Sequence, residues 1–278
     1  MAGNTQRSRG RSRTPRPDRA TPRRPAAAAG SSWERVAGWY DGWVGPKGSR
    51  YHEAVAIPAV LELLDPRPGE SILDVGAGQG VLAPHIVRRG ATYAGVDASP
   101  RLIDMARRRH GREGQFFVAD ARDLRAVPDL KPGTFDAAVF MLSIQDMDPL
   151  APIFASVDAM LAERAQVVLF MTHPAYRQPR HAGWGFDPGR KLTYRRVDSY
   201  LTEMAVPMKA LGDELPTRSF HRPIGAYVNG LAAVGFAVDK MLELPDLPPD
   251  ARPRGGRATD PRADAEIPLF LGLRARRP

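Results

Sequence analysis

Hydrophobic residues recur at two different spacings along the chain. Large apolar side chains stand three or four positions apart over residues 33–43 and 51–64, which predicts two leading helices. Short apolar runs follow and predict seven strands, at residues 71–75, 92–96, 115–119, 135–140, 167–171, 236–242 and 267–273. The stretches between these runs predict helices at residues 81–89, 100–109, 153–163 and 223–234.

The alternation of strands and helices is typical of βαβ units, so the chain is predicted to form an α/β fold around a parallel sheet with helices on both faces. The alternation stops over residues 172–222, which are rich in aromatic residues and turn signals. Long loops inside a compact domain are usually functional. We interpret residues 172–222 as an insertion that covers the substrate. A second polar stretch, residues 245–265, precedes the last predicted strand.

The net charge of +9 is concentrated at the N-terminus, where residues 1–30 hold eight arginines and one aspartate. Residues 1–32 also lack Val, Ile, Leu, Phe, Tyr and Trp, and prolines interrupt them. Such a segment cannot bury enough apolar surface to offset the entropy lost on ordering. The sequence therefore predicts a disordered tail, residues 1–32, ahead of one nearly neutral domain, residues 33–278.

Some classes of protein are excluded by composition. The chain has no cysteine, which rules out disulfides, thiolate metal sites and a cysteine nucleophile. Its longest apolar run, residues 137–142, is much shorter than a membrane span. The Arg-rich N-terminus resembles a transit peptide, but its prolines disfavour an amphipathic helix, and without an apolar stretch and cleavage site near Met1 secretion is not expected. A cytoplasmic protein without a membrane span is expected.

A glycine-rich loop follows the first predicted strand. Residues 73–80 read Leu-Asp-Val-Gly-Ala-Gly-Gln-Gly and lead into a predicted helix. Glycines allow a tight turn and a close approach of the backbone to a ligand. The dinucleotide fingerprint G-x-G-x-x-G would need glycine where Val81 stands, so NAD binding is the second interpretation of this loop.

Two aspartates end the next two predicted strands. Asp97 closes the second strand, where a carboxylate can accept both hydroxyls of a ribose, and Asp120 closes the third. Either one alone is explained by helix capping or by a solvated strand end. Because the carboxyl ends of parallel strands meet at one edge, the glycine loop and both aspartates are predicted to converge on one nucleoside.

With this set of residues the sequence resembles the class I S-adenosylmethionine-dependent methyltransferases of the small-molecule type, related to the quinone-biosynthesis methyltransferases. The resemblance covers about residues 33–276 and depends on residues 73–80, Asp97 and the Asp120-Ala121 pair. It implies a Rossmann-like sheet of seven mostly parallel strands with the last strand antiparallel. It also implies S-adenosyl-L-methionine as the cofactor.

The resemblance further implies roles for individual residues. Asp97 would hold the ribose hydroxyls, Asp120 the adenine amino group, and Asp74 would organise the loop and the methionine ammonium. The leading helices of this family fold over the cofactor, which places Tyr40 and Tyr51 in the pocket. The implied cofactor-binding residues are Asp74, Gly76, Ala77, Gly78, Gly80, Asp97, Ala98, Asp120, Ala121, Met141, Tyr40 and Tyr51. The tryptophans of the same aromatic stripe, Trp39 and Trp43, are expected in the core.

Methyl transfer from a sulfonium requires mainly alignment and exclusion of water. A general base is needed only when the acceptor must lose a proton, and histidine is the usual one. His173 directly follows the fifth strand and His221 precedes the penultimate helix, so both are candidate catalytic residues. A structural role is the alternative for each. Trp184 and Phe186 can stack on a flat acceptor or can pack within the insertion.

Some acceptors are disfavoured by the residues after the fourth strand. No Asp-Pro-Pro-Tyr or Asn-Pro-Pro-Tyr stands there, which argues against methylation of the exocyclic amines of DNA or of glutamine. Methylation of cytosine C5 needs a thiolate, and the chain has none. Asp146 and Asp148 follow this strand and are interpreted as a solvated loop rather than as metal ligands, so no metal is expected.

Three functions remain open at this point. The preferred one is transfer of a methyl group to a small-molecule acceptor by in-line displacement. The second is an RNA-directed methyltransferase whose Arg-rich tail binds phosphates, although nucleic acid is not the expected partner. The third is a protein that binds S-adenosylmethionine without catalysis.

Overall fold

The computed structural model describes residues 32–208, 217–247 and 260–278. The predicted disordered tail therefore lies outside the described residues, apart from Ser32. Seven α-helices are described, namely α1 (Ser32–Val44), α2 (Ile57–Leu64), α3 (Ala83–Val87), α4 (Pro100–His110), α5 (Leu150–Asp158), α6 (Ile224–Ala232) and α7 (Pro261–Glu266). A π-helical turn at His52–Ala56 precedes α2, and 3₁₀ turns form at Leu124–Ala126 and Ile144–Asp146.

The described strands form one large sheet and two small ones. Their bounds are β1 (Ser71–Val75), β2 (Thr92–Asp97), β3 (Gln115–Val118), β4 (Phe135–Met141), β5 (Leu161–Thr172), β6 (Ala182–Asp187), β7 (Leu192–Val197), β8 (Met204–Pro207), β9 (Arg218–His221), β10 (Ala237–Leu244) and β11 (Phe270–Arg276). The large sheet has the order β10-β11-β5-β4-β1-β2-β3. β11 runs antiparallel to both of its neighbours, while β5, β4, β1, β2 and β3 pair in parallel. The predicted seven-stranded sheet with an antiparallel last strand is confirmed.

The central strands are buried on both faces, which explains their continuous apolar sequences. In β1, Leu73 and Val75 contact the cluster that includes α5 and α6, whereas Ile72 faces the cluster that includes α2 and α3. All three side chains are fully buried. β1 thus lies at the centre of the molecule, and the loop that leaves its carboxyl end is held on both sides.

The helices begin at the capping residues that the sequence indicates. Ser99 accepts a hydrogen bond from the Leu102 amide at 3.2 Å, and Pro100 occupies the first helical position of α4. Pro84 lies in the first turn of α3, where its missing amide hydrogen costs nothing. These caps fix where the chain turns from the sheet edge into the helices.

Some predicted boundaries were wrong, and the structure has elements that the sequence pattern did not predict. The helix predicted over residues 153–163 ends at Asp158, because Leu161 already pairs with Phe135 in the sheet and this pairing overrides local helix propensity. The insertion contains strands β6 to β9, and α7 forms within the second polar stretch. The last strand begins at Phe270, three residues later than the sequence pattern indicated.

Candidate functional site

A cavity of about 970 Å³ opens at the carboxyl ends of the parallel strands. One part of its wall comes from the loops after β1, β2, β3 and β4, and the other part from α1, the segment after β5, and β9. This volume lies at the upper end of the range for ligand pockets. The cavity therefore has room for a nucleoside-sized ligand together with a second molecule.

The tight turn of the glycine loop is held by backbone hydrogen bonds and by residues with positive φ. The amides of Gly76 and Ala77 donate to the Val96 carbonyl at 2.8 and 2.9 Å. Gly76, Gly78 and Gly80 all have positive φ, at 77°, 56° and 81°. Gly76 and Gly78 line the cavity, whereas the side chain of Ala77 is buried and Gly80 packs behind the loop against Phe116.

Substituting alanine for Gly80 is expected to destabilise the fold. A Cβ at Gly80 would meet the Phe116 ring at 2.7 Å, in addition to the strain of a positive φ. Together these effects should lower the free energy of unfolding by about 2–4 kcal/mol in urea titrations. Gly133→Ala is the matched control, because Gly133 has φ +72° with no atom within 4 Å of the added Cβ. Equal losses in the two variants would show that packing behind the loop is not the cause.

Asp97 joins the end of β2 to the glycine loop. Its Oδ2 accepts from the Gly78 amide at 3.0 Å and its Oδ1 from the Ser99 amide at 2.8 Å. Burial raises the pKa of Asp97, and these two amide hydrogen bonds partly oppose the rise. The carboxylate lines the cavity and keeps lone pairs for further donors. It therefore supports the loop and retains acceptor capacity on the cavity side.

Asp120 is held by an arginine in the free chain. The Arg122 guanidinium donates from Nε to both carboxylate oxygens at 2.9 and 3.0 Å, and this contact lowers the pKa of Asp120. Asp120, Ala121 and Arg122 all line the cavity, as does Ala98. An amino group that binds Asp120 must therefore share the carboxylate with Arg122.

Asp74 lies beneath the loop rather than in the cavity wall. It is only 1% exposed, and its Oδ2 accepts from the Tyr93 hydroxyl at 2.7 Å. Its Oδ1 is buried with no hydrogen-bond partner among the described residues. Burial raises the pKa of Asp74 to about 7. A buried carboxyl with one unpaired oxygen is suited to a positively charged ligand group above it.

Asp74→Asn is expected to stabilise the ligand-free chain in a pH-dependent way. A carboxyl whose pKa is raised by folding stabilises the fold below its unfolded pKa, and this contribution is lost as the pH rises through about 7. The neutral asparagine amide does not ionise and so avoids this loss of stability. The free energy of unfolding of the variant should therefore rise by about 1–3 kcal/mol at pH 8 and by almost nothing at pH 4. Urea unfolding at both pH values measures the gain. A gain of the same size at both pH values would contradict the ionisation of Asp74.

Among the aromatic residues of the leading helices, Tyr40, Tyr51 and Trp43 line the cavity and Trp39 does not. Tyr40 lines the cavity beside Gly78, and burial raises its pKa. Tyr51 lies in the same wall. The expectation that Trp39 and Trp43 are core residues was wrong, since they are 47% and 50% exposed. They stack on each other with centroids 6.1 Å apart, because α1 packs through other residues of the helix.

The two candidate catalytic histidines do not reach the cavity. His173 is 2% exposed, its Nε2 pairs with Glu243 at 3.0 Å, and its Nδ1 accepts from the Ala175 amide. His221 is buried with its Nε2 bonded to the Tyr200 carbonyl at 2.7 Å. Neither residue lines the cavity. The side chain of His173 binds Glu243 of β10, and that of His221 binds the Tyr200 carbonyl within the insertion. Their catalytic roles remain a prediction that this geometry does not support.

Other predicted residues also lie outside the cavity wall. Met141 is buried at the end of β4, and the residue after it, Leu142, lines the cavity. Phe186 is 61% exposed on β6, and the Arg195 guanidinium lies 5.1 Å from the Trp184 ring centroid. The interpretation as packing within the insertion fits Trp184, which packs against the core, whereas Phe186 neither packs nor lines the cavity.

Asp146 is the main cavity residue that the sequence did not identify as functional. The chain leaves β4 through Leu142, which has φ +56°, and forms the 3₁₀ turn that places Asp146 in the cavity wall. Burial raises the pKa of Asp146 to about 8. The interpretation as a solvated loop was therefore wrong for Asp146, although Asp148 is exposed and pairs with Arg222. The sequence signal for a functional Asp146 was its position directly after β4, at the edge of the sheet where ligands bind.

His52 and Arg177 are two more cavity residues that the sequence did not single out. His52 Nδ1 accepts from the Ser49 amide at 3.3 Å, so its proton lies on Nε2. Burial lowers the pKa of His52 to about 4. His52 is therefore neutral and acts as a donor. Within the described residues, no group of three or more His, Asp and Glu side chains is arranged to hold a metal ion.

Comparison with known proteins identifies the family. A family described as "Methyltransferase domain" matches residues 49–210, which is more than half of the chain. The chain belongs to this methyltransferase family. Its sheet order and antiparallel last strand are those of a class I S-adenosylmethionine-dependent methyltransferase, which confirms the resemblance deduced from the glycine loop and Asp97.

Individual relatives agree with this assignment. The ubiquinone biosynthesis O-methyltransferase of Xylella fastidiosa strain 9a5c is 33% identical over 132 residues, which are 45% of this chain and 52% of that protein. The chain thus matches about half the length of that relative. The nocamycin O-methyltransferase of Saccharothrix syringae is 28% identical over 76% of this chain and 72% of that protein. The crystal structure of an S-adenosylmethionine-dependent methyltransferase from Mesorhizobium loti has a TM-score of 0.64 and 26% identity, covering 84% of this chain and all of that one.

The methyltransferase domain has hydrogen-bond acceptors that match the donor groups of S-adenosylmethionine. The cofactor carries a ribose diol, an adenine amino group, an ammonium and a sulfonium, and the strand ends supply the carboxylates of Asp97 and Asp120. Asp97 has free lone pairs, and Asp74 has an unpaired buried oxygen. These residues fit the cofactor of the family, S-adenosylmethionine.

In the described part of the methyltransferase domain, no helix is long and apolar enough to cross a membrane.

Proposed function

We propose that the chain transfers the methyl group of S-adenosylmethionine to a hydroxyl oxygen of a small-molecule acceptor. The observation that carries this proposal is the continuous cavity, which joins the glycine loop at the strand ends to residues of the insertion. The O-methyltransferase relatives support an oxygen acceptor on a small organic molecule. Residues 172–222 would then cover the acceptor, as the sequence suggested.

The strand-end residues would hold the cofactor. Asp97 would accept hydrogen bonds from the ribose hydroxyls, beside Gly78, whose missing side chain allows close approach. Asp120 would accept from the adenine amino group, and Asp74 would favour the methionine ammonium from beneath the loop. When bound, S-adenosylmethionine supplies a methyl group on positively charged sulfur, and transfer breaks the carbon–sulfur bond, leaves its electron pair on sulfur and forms a carbon–oxygen bond.

Asp146 would remove the proton from the acceptor hydroxyl. Its carboxyl lines the same cavity as Tyr40 and Gly78, and its charge adds to burial and to Asp97 in raising the pKa of Tyr40. A pKa of about 8 makes its carboxylate a stronger base than an ordinary aspartate. His52 cannot take this role, because its Nδ1 already accepts from Ser49 and its Nε2 carries the proton.

The test is a methyl-transfer screen with the purified full chain. The chain is incubated with S-adenosylmethionine and a panel of phenols, hydroxy acids and aliphatic alcohols, and products are analysed by mass spectrometry. We expect S-adenosylhomocysteine together with an acceptor heavier by one CH₂ unit. Tight cofactor binding without turnover on any acceptor would support a non-catalytic binding protein instead. The cytoplasmic location inferred from the sequence belongs to this proposal and is tested by cell fractionation.

A further inference from the structure

The end of the cavity formed by the insertion is rich in arginine. Arg177 and Arg180 come from the segment after β5, and Arg218 comes from β9. Arg177 lies over two neighbouring aromatic rings, with its Cζ 4.8 Å from the Tyr51 centroid and 4.6 Å from the Phe270 centroid. These contacts hold the guanidinium in one orientation while leaving its edge available for hydrogen bonds.

Two buried polar atoms in this part of the wall have no partner among the described residues. They are Arg177 Nη1 and Gln178 Oε1, and the Gln178 side chain is only 4% exposed. Both residues line the cavity. Native structures rarely leave buried donors and acceptors unpaired. A ligand that supplies an acceptor to Arg177 and a donor to Gln178 would satisfy both atoms.

No carboxylate of the described residues forms an ion pair with Arg177. Asp120 is paired with Arg122 and Asp148 with Arg222. Asp246 also lies near the Tyr51 hydroxyl, but its carboxylate accepts from the Leu247 amide and forms no ion pair with Arg177 among the described residues. The guanidinium therefore retains a positive charge that faces the cavity.

We propose that the acceptor carries a carboxylate on a flat ring and that Arg177 binds this carboxylate. The inference rests on the proposed function, because it describes the acceptor of the same cavity. A guanidinium matches the planar carboxylate with two parallel hydrogen bonds. Tyr51 and Phe220 line the same region, are only partly buried and offer aromatic surface to the ring. The hydroxyl to be methylated would then lie on the same ring, towards Asp146.

Direct binding tests this inference without turnover. The full chain is first saturated with S-adenosylhomocysteine, and titration calorimetry then measures the affinity of benzoate, its uncharged isostere benzamide, and phenyl phosphate. Benzoate should bind at least about tenfold more tightly than benzamide, as expected for a charge-assisted bidentate contact. Arg177→Gln should abolish this difference and leave the affinity for S-adenosylhomocysteine unchanged.

The control is Arg190→Gln, since Arg190 lies in the β6–β7 turn with its side chain 80% exposed and should not affect the preference. If Arg177→Gln does not fold, Arg177→Lys decides, and benzoate should bind it severalfold more weakly than the unmodified chain because lysine lacks the planar fork. Equal affinity for benzoate and benzamide, no binding of either, tighter binding of phenyl phosphate, or full benzoate affinity in the lysine variant would overturn the inference. Failure of S-adenosylhomocysteine to bind would instead overturn the proposed function.

Discussion

Asp146→Asn is expected to lower kcat by at least about 100-fold while leaving the affinity for S-adenosylhomocysteine within a factor of two. A positioned general base contributes about 10²–10⁴-fold to a rate, and the amide keeps the shape of the carboxyl but cannot take a proton. Asp146 is the cavity carboxyl with a pKa raised to about 8, and its burial is the main cause. Steady-state kinetics on an acceptor found in the screen measures kcat.

The pH profile separates this role from a structural one. A base must be ionised to accept a proton, and the raised pKa means that Asp146 ionises only as the pH approaches about 8. The kcat of the unmodified chain should therefore rise with pH to a plateau above about 8. In Asp146→Asn this rise should disappear. Asp104→Asn, at an exposed position of α4, is the control and should keep both rate and profile. A rise that survives in Asp146→Asn would assign the proton transfer elsewhere.

Asp97→Ala is expected to weaken the binding of S-adenosylmethionine and S-adenosylhomocysteine by at least about tenfold. The loss of charge-assisted hydrogen bonds costs about 1.5–3 kcal/mol, which corresponds to about 10- to 150-fold in the dissociation constant. The effect has two sources, because the carboxylate would bind the ribose and also fixes the Gly78 and Ser99 amides. Calorimetric titration measures both ligands. Unchanged affinity in a folded Asp97→Ala variant would refute the placement of the ribose.

The central sheet could be predicted from sequence because its signals are local. The apolar runs of β1, β2 and β4 are continuous, since helices cover both faces of the sheet, and Ser99-Pro100 marks a helix start without ambiguity. Predicted boundaries of helices and strands were wrong where pairing with a strand distant in the sequence determines them. Leu161 follows a helix with no breaker between, yet it pairs with Phe135 of β4 and begins β5. No residue near position 161 indicates this pairing.

The cofactor side of the candidate site could be predicted for the same reason. Gly78 and Asp97 occupy fixed positions at the ends of β1 and β2, and those strands are adjacent in any doubly wound sheet. The hydrogen bond from the Gly78 amide to Asp97 is a consequence of that adjacency. Sequence order along the strands was therefore enough to bring these residues together.

The acceptor side depends on contacts that no local pattern encodes. His173 is adjacent to β5, but Glu243, which lies 70 residues further along the chain, pairs with its ring. The Arg177 guanidinium gains its orientation from Tyr51 and Phe270, which come from opposite ends of the chain. Asp146 is buried by the cavity wall around it rather than by its sequence neighbours. Long-range packing thus decides which polar residues face the cavity.

A crystal structure of the full chain grown with saturating S-adenosylhomocysteine is the most direct test of the site. The account predicts electron density for the ligand across the carboxyl ends of β1, β2 and β3, with the ribose hydroxyls at the Asp97 carboxylate and the open part of the cavity extending towards Arg177. Density for the ligand at another surface, or an empty cavity at saturating ligand, would contradict the account.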